Sequence, residues 1–409
     1  MKRSRRWKQR SLFVFALIAV AAMGSIPAGS VASAGPACST DPGIPSLELV
    51  YLLQSGERAV TADSRDRATA VLCERLRMIG VAGAEVDSQG ERRIRVVLPG
   101  LRRGSNARRL AERLAVPGRL GFYQWEAKLI GPERAIGSHP GREPSAAALA
   151  QAEHEWKVAG RPVHRAAERR LILAGAFPGI YGAVRLAAEQ SPRRHCVACS
   201  ALAPRFYMFD RTPAHRLIAG PVSSKAELRR GKRKGNLVLE VPVGVAVVSE
   251  QPSGRSGEVL SGAEPGWFAL RDGPALTERE VIDPKQEVDE FGMPNVTFGF
   301  TEKGRSAFQR VTRAIAQCGQ AGVLGPVTVT EAEALSCHLA VILDSDVKTR
   351  PIINFAQNPD GIDGRTGAQI SGGFSNIRQA QYLAAVLGSS SLPIELTLVR
   401  QRLLPTQNS

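Results

Sequence analysis

Ile94, Val96 and Leu98 alternate with Arg93, Arg95 and Val97, and the run stops at Pro99-Gly100. A period of two with charge on alternate positions describes a strand that buries one face. Residues 81–88 lead into it through Gln89-Gly90, so the two segments form a hairpin. Upstream, Ala68, Val71, Leu72, Leu76 and Ile79 share one helical face, Asp63 or Ser64 can cap that helix, and Gly80 stops it. Residues 47–53 are strand-like. Downstream, a second helix starts at Ser105 or Asn106 and runs through Leu114, and residues 120–125 make another strand. The order is βαββαβ, a split βαβ unit.

The C-terminal third repeats this order of elements without repeating the sequence. Val296, Phe298 and Phe300 alternate as in a strand, and Thr301 can cap a helix that carries Phe308, Val311 and Ile315 on one face. Residues 339–343 read as a strand, Asp344-Ser345-Asp346 as a turn, and 368–371 as a further strand. Ser375 can cap a helix with Ile377, Ala380, Ala384 and Leu387 in phase, and Pro393 opens a last strand over 394–400. Between the two halves, an Ala-rich helical stretch at 146–158 and strands at 205–209 and 237–248 sit among Pro/Gly-rich connections, which suits an inserted subdomain.

The expected class is therefore α+β. A ferredoxin-like βαββαβ base is built from N- and C-terminal halves and carries an inserted mixed α/β head. The expected boundaries are a linker at 35–45, the first half of the base at 46–125, the head at 126–290, the second half at 291–402 and a tail at 403–409. The two halves should pack as one base, with the head set apart from it.

Residues 1–34 read as an export signal or an N-terminal anchor. Lys2, Arg3, Arg5, Arg6, Lys8 and Arg10 precede an apolar run over 12–23, and Ala32-Ser33-Ala34 offers a small-residue cleavage site. Cys38 follows Gly35-Pro36-Ala37, which lacks the apolar character of a lipid-attachment site. After Met23 no stretch approaches about 18 consecutive apolar residues. The net charge is +16, and removal of the six basic residues of the signal leaves +10. The remaining basic clusters, including Arg193-Arg194 and the run 229–234, have no interleaved aromatic residues, which argues against nucleic acid and for a solvated face near anionic headgroups. Six cysteines in an exported chain suit disulfides. Cys318 and Cys337, which flank the segment 319–336, are the pair most suited to a long-range link, worth about 3 kcal/mol.

Several ordered segments resemble the extracytoplasmic domain of the SecD family, the accessory subunit of Sec protein export. They are Arg75-Leu76-Arg77-Met78-Ile79-Gly80-Val81, the hairpin that ends in Leu98-Pro99-Gly100, and Gly273-Pro274-Ala275-Leu276-Thr277. Phe300-Thr301 with Gly304 and Phe308, Leu343-Asp344, Pro351-Ile352-Ile353-Asn354, Gln369-Ile370-Ser371-Gly372-Gly373-Phe374 and Ser391-Leu392-Pro393-Ile394 complete the series. The resemblance implies a non-enzymatic accessory that contacts unfolded secretory polypeptide or Sec translocon subunits. Membrane association and an exported location, anchored on the outer face of the cell membrane or secreted, go with it. The family's acidic-Leu-x-Gly-Gly signature is replaced by Asp41-Pro42-Gly43-Ile44-Pro45-Ser46-Leu47. The chain also stops at Ser409, where the family continues into membrane helices. The expectation is thus a factor without its own proton-conducting part, with or without a separate membrane partner, or a free-standing binding or scaffold protein that has lost Sec function.

Chemistry-bearing motifs are few. Cys196-Val197-Ala198-Cys199 after His195 admits a thiol oxidoreductase, but no thioredoxin-like frame surrounds it, so a local disulfide or idle thiols are preferred. Zinc needs four ligands and the motif offers three. Asp344, Asp346, Asp360 and Asp363 lack the spacing of a calcium loop and read as turn residues. Gly372-Gly373 reads as a tight strand-to-helix turn. No catalytic, metal or cofactor site is expected.

Overall fold

The computed structural model describes residues 45–404 apart from 55–59, 102–103, 132–149, 151–152, 155, 162–165, 194–198, 200–203, 229–234, 253–259, 261, 290–291, 322, 324, 372–373 and 375. The chain begins with β1 (Ser46–Gln54), α1 (Ala62–Met78), β2 (Glu85–Ser88), β3 (Arg93–Pro99) and α2 (Ser105–Leu114). There follow β4 (Leu120–Gln124), α3 (Trp125–Lys128), β5 (Leu129–Ile130), α4 (Ala166–Leu173) and α5 (Ile180–Ala188). Next come β6 (Arg205–Phe209), β7 (Leu217–Val222), α6 (Lys225–Leu228), β8 (Leu237–Val241), β9 (Val245–Glu250), β10 (Gly266–Arg271), β11 (Leu276–Thr277) and β12 (Val281–Val288). The last third holds β13 (Pro294–Phe300), α7 (Glu302–Gln320), α8 (Val329–Leu335), β14 (Leu339–Leu343), β15 (Asp346–Thr349), β16 (Ala368–Ser371), α9 (Ile377–Gly388) and β17 (Glu395–Leu404).

This is a mixed α/β protein with four sheets among the described residues. The first has the order β17-β1-β3-β2, antiparallel throughout. Leu47, Leu49, Tyr51 and Leu53 of β1 face Ala68, Leu72 and Leu76 of α1 and Ala107, Ala111 and Leu114 of α2 in one buried cluster. Each fully buried leucine there contributes about 2 kcal/mol. The cap of α1 is Thr61 rather than Asp63 or Ser64. Its hydroxyl accepts from Ser64 N–H while the Ser64 hydroxyl accepts from Thr61 N–H, and Asp63 falls in the first turn, where a carboxylate suits the helix dipole. On the opposite side of the sheet, Glu48 is only 2% exposed and lies within 3.1–3.3 Å of Arg95, Arg400 and Arg402.

The strand at 120–125 does not complete this sheet. As β4, it sits between β11 and β14 in a seven-stranded sheet of order β11-β4-β14-β15-β9-β10-β5. The physical reason lies in its faces. Leu120 and Phe122 enter one core and Tyr123 the other, so β4 needs cover on both sides, whereas β17 has exposed Thr397, Val399 and Arg400 and tolerates an edge. Phe122 makes edge-to-face contacts with Phe298, Phe300 and Phe308. Phe308 belongs to α7, whose Thr301 hydroxyl accepts from Gly304 N–H at 3.0 Å.

The stretch 126–290 is not set apart. Its β5, β9, β10 and β11 join the sheet that holds β4, β14 and β15, and its β12 pairs with β13 in a three-stranded sheet, β12-β13-β16. Among its described strands only β6, β7 and β8 form a sheet of their own, in the order β7-β6-β8. In β10, Phe268 and Leu270 enter one core and Ala269 another, so this strand is covered on both faces. The expected strand at 237–248 is two, β8 and β9, separated at Pro242-Val243-Gly244. The cap of α9 is Asn376, which accepts from Gln379 N–H at 3.2 Å; the expected cap, Ser375, lies outside the described residues. The described part of the Ala-rich stretch is helical at 150, 153–154 and 156–158. No described helix is long and apolar enough to cross a membrane.

Candidate functional site

The chain leaves the first sheet after α2 and returns to it after α9, and a buried arginine holds both passages. Arg75 lies on the apolar face of α1 and is fully buried. Its Nε donates to Ser389 Oγ at 3.1 Å. Its guanidinium also donates to the carbonyls of Leu114 at 2.9 Å, Pro117 at 3.1 Å and Ser390 at 3.4 Å, and to that of Val116. Burial pulls its pKa down, and Tyr382 and Asp344 oppose the shift. Five acceptors from two passages make this a knot rather than a single contact.

Asp344 adds a third passage. It follows β14 with φ +58°, and its carboxylate accepts from Gly118 N–H at 3.2 Å and Arg119 N–H at 3.0 Å. Burial pushes its carboxyl above the usual range, against the pull of those two N–H bonds and of Arg119 and Arg75. Arg119 is held below the usual arginine range, by burial first and then by Arg205, with Glu395, Asp344 and Glu278 opposing. Arg205 of β6 forms an ion pair with Glu395 of β17, and Ser391 Oγ donates to Glu278 at 2.9 Å. The knot therefore joins the first sheet, the seven-stranded sheet and the β6 sheet. Its chemistry is mechanical coupling through charge-assisted hydrogen bonds.

The seven-stranded sheet has a narrow waist. β9 and β15 meet in parallel through one residue pair, Asp346 and Ser249. Ser249 Oγ donates to Asp346 Oδ1 at 2.9 Å, and Ser249 N–H donates to the Ser345 carbonyl at 2.8 Å. Arg350 and Glu250 close the same seam, and Arg350 lies 5.1 Å from the Trp125 ring.

The residues singled out in the sequence fall in different places. Leu98 is buried in β3, Pro99 pairs with Ser46, and Gly100 takes φ +71° in the following turn. Leu276 pairs with Phe122 just after Pro274, and the Pro351 carbonyl accepts from Leu339 N–H. Asn354 donates to the Val329 carbonyl at 3.1 Å and accepts from Ala356 N–H at 3.0 Å. Phe374 packs on the α7 core. Gly372, Gly373, His195 and Cys196 lie outside the described residues. Asp344 reaches the knot, as do Arg75 and Ser391 from the other family-like segments.

Cys318 and Cys337 are joined by a disulfide with Cα atoms 6.0 Å apart, and Cys199, 8% exposed, is also disulfide-bonded. Glu126 completes with Cys318 and Cys337 the metal-ligand grouping found among the described residues, but a disulfide offers no thiolates to an ion. Glu126 binds His338 instead, at 2.6 Å from Nδ1 and 3.0 Å from the backbone N–H. These contacts outweigh burial and hold its carboxyl below the usual range. Sequence reasoning gave no role to Glu126 and Arg205, and named Arg75 only as part of a family-like segment. For Arg75 there was a signal, a charge inside the apolar stripe of Ala68, Val71, Leu72 and Leu76.

Residues 256–394 match the family model for the SecDF P1 head subdomain, a span that crosses the 290/291 boundary drawn from the sequence. Protein translocase subunit SecDF of Thermus thermophilus is 31% identical over 129 residues, 32% of this chain and 14% of that protein. Protein translocase subunit SecD of Rhodothermus marinus is 24% identical over 360 residues, 86% of this chain and 47% of that protein. A crystal structure of SecDF in a super-membrane-facing form is 20% identical, with a TM-score of 0.43, and covers 91% of this chain and 32% of that one. The chain thus spans less than half the length of these relatives. Residues 256–394 thus resemble the P1 head subdomain of SecDF, and 86% of the chain aligns with a protein translocase subunit SecD.

Proposed function

We propose that the chain is an extracytoplasmic accessory factor of Sec-dependent protein export, a translocation factor rather than a catalyst, that contacts unfolded secretory polypeptide or Sec translocon subunits. The observation that carries this reading is the P1 head match over residues 256–394. The base is ferredoxin-like in this reading, supported by the antiparallel order β17-β1-β3-β2 with α1 and α2 packed on it. The factor works at the outer face of the membrane, either anchored or with a separate membrane partner. The knot around Arg75 holds base and sheets together, while the one-pair waist between β9 and β15 is where the β9-β10-β5 strands swing.

A photo-crosslinking residue at Val329 or Ile282, both exposed, tests this in cells that export a stalled chain. Adducts with the stalled chain or with Sec subunits are expected. Adducts with neither, from a folded and exported protein, would leave the free-standing scaffold reading in place. A thiol–disulfide oxidoreductase gains no support from Cys199, which is buried and already oxidised.

A further inference from the structure

Three cations converge where α3, β10 and the segment after α5 meet. A methyl group built on Gly273 would lie 3.6 Å from Lys128 Nζ and 3.9 Å from Arg193 Nη1, so an ammonium and a guanidinium overhang a residue that has no side chain. Gly273 takes φ +113°, which reserves the position for glycine. Gly244 clears the route for Arg193. A methyl group there would come within 2.8–2.9 Å of Arg193 Cβ, Cγ and Cδ, so the arginine stem lies directly on the glycine. Arg193 is anchored by its N–H to the Val243 carbonyl at 3.0 Å and by Nη1 to the Asp272 carbonyl at 3.4 Å.

Charge at this notch does not balance. Lys128 sees Arg193, Arg271 and the single carboxylate of Asp272. That carboxylate is fully buried and accepts from Tyr123 OH at 3.0 Å and Gly273 N–H at 2.7 Å. Among the described residues no hydrogen bond or ion pair holds the Lys128 ammonium. Burial and then Arg193 keep it below the usual lysine range, with Asp272 opposing and Arg271 adding to the shift. Lys128 and Gly273 are partly buried, whereas Arg193 and Arg271 are exposed, and among the described residues three cations against one anion leave two positive charges over the notch.

We propose that this notch binds a divalent oxyanion of the phosphate class, with oxygens that accept from Lys128 Nζ and Arg193 Nη1 above Gly273. A dianion matches the excess, whereas a single carboxylate neutralises half of it. The proposal stands independently of the export reading.

The test is calorimetric titration of the full chain with inorganic phosphate at constant ionic strength, with chloride as control. One equivalent is expected to bind with sub-millimolar affinity, and Lys128→Met should weaken binding at least tenfold. The same variant should melt higher than the parent in phosphate-free buffer, because it removes a crowded cation; this second readout separates a lost site from a lost fold. Arg271→Gln should weaken binding less. Phosphatidic acid vesicles that compete with phosphate would identify a lipid headgroup as the source, and vesicles that leave the isotherm unchanged would identify the free anion. Phosphate heats equal to chloride heats, or undiminished binding in the folded Lys128→Met chain, would overturn the proposal.

Discussion

Arg350 and Glu250 meet as a two-point fork, Nε 3.2 Å from Oε1 and Nη2 3.0 Å from Oε2, across the waist where β9 and β15 share one residue pair. Both side chains are less than a fifth exposed, so the pair is worth more than an open surface ion pair. Arg350→Lys keeps the charge and loses the fork, and should cost about 1–2 kcal/mol. A double-mutant cycle with Glu250→Gln in urea should return a coupling of about 1 kcal/mol or more. A coupling near zero would assign the waist to the Trp125, Val248, Phe268 and Ile342 core alone.

Arg75→Met should cost about 3–5 kcal/mol, since the carbonyls of Leu114 and Val116 and the Ser389 hydroxyl lose their donor inside the protein, while those of Pro117 and Ser390 keep Leu392 N–H and Ser389 Oγ. Hydrogen exchange should rise first at residues 115–119 and 389–392. A loss under about 1 kcal/mol, with protection unchanged, would show that water or neighbouring groups satisfy those acceptors.

Asp344 gives a pH dependence with a definite sign. Burial raises its folded pKa above the unfolded value of about 4, so between the two the native state holds more protons. Its contribution is therefore most favourable below the unfolded pKa and declines as pH rises through the folded one. Asn at this position tolerates φ +58° but keeps only one of the two N–H bonds, since Gly118 donates to Oδ2 and Arg119 to Oδ1, so Asp344→Asn should lower stability and at the same time remove this decline. Denaturation midpoints measured across acidic to neutral pH decide it, and parallel profiles for the two proteins would exclude Asp344 as the source.

Local periodicity made part of the fold legible. The alternation in β3 and the 3–4 spacing in α1 and α7 are short-range signals that residues carry wherever the chain goes. The apolar faces of Leu120, Phe122 and Tyr123 say that β4 is central but not to which sheet, because that choice depends on β11 and β14, far along the chain. The site was less legible still. Asp344 stood in a recognisable segment, yet its partners Gly118 and Arg119 and the arginine beside them come from segments that only tertiary packing unites.

The pairing of Ser46 with Leu404 sets the timing of folding as well as its outcome. A chain made or exported from its N-terminus presents β1 with one edge open until the final strand arrives. Nearly every other element must be in place, or at least out of the way, before that closure. Such long-range closure belongs to slow-folding, high-contact-order topologies, and an open edge during the delay is a template for mispairing. Truncation just before Glu395 should therefore yield a protein that aggregates through its N-terminal sheet rather than one that merely lacks a tail.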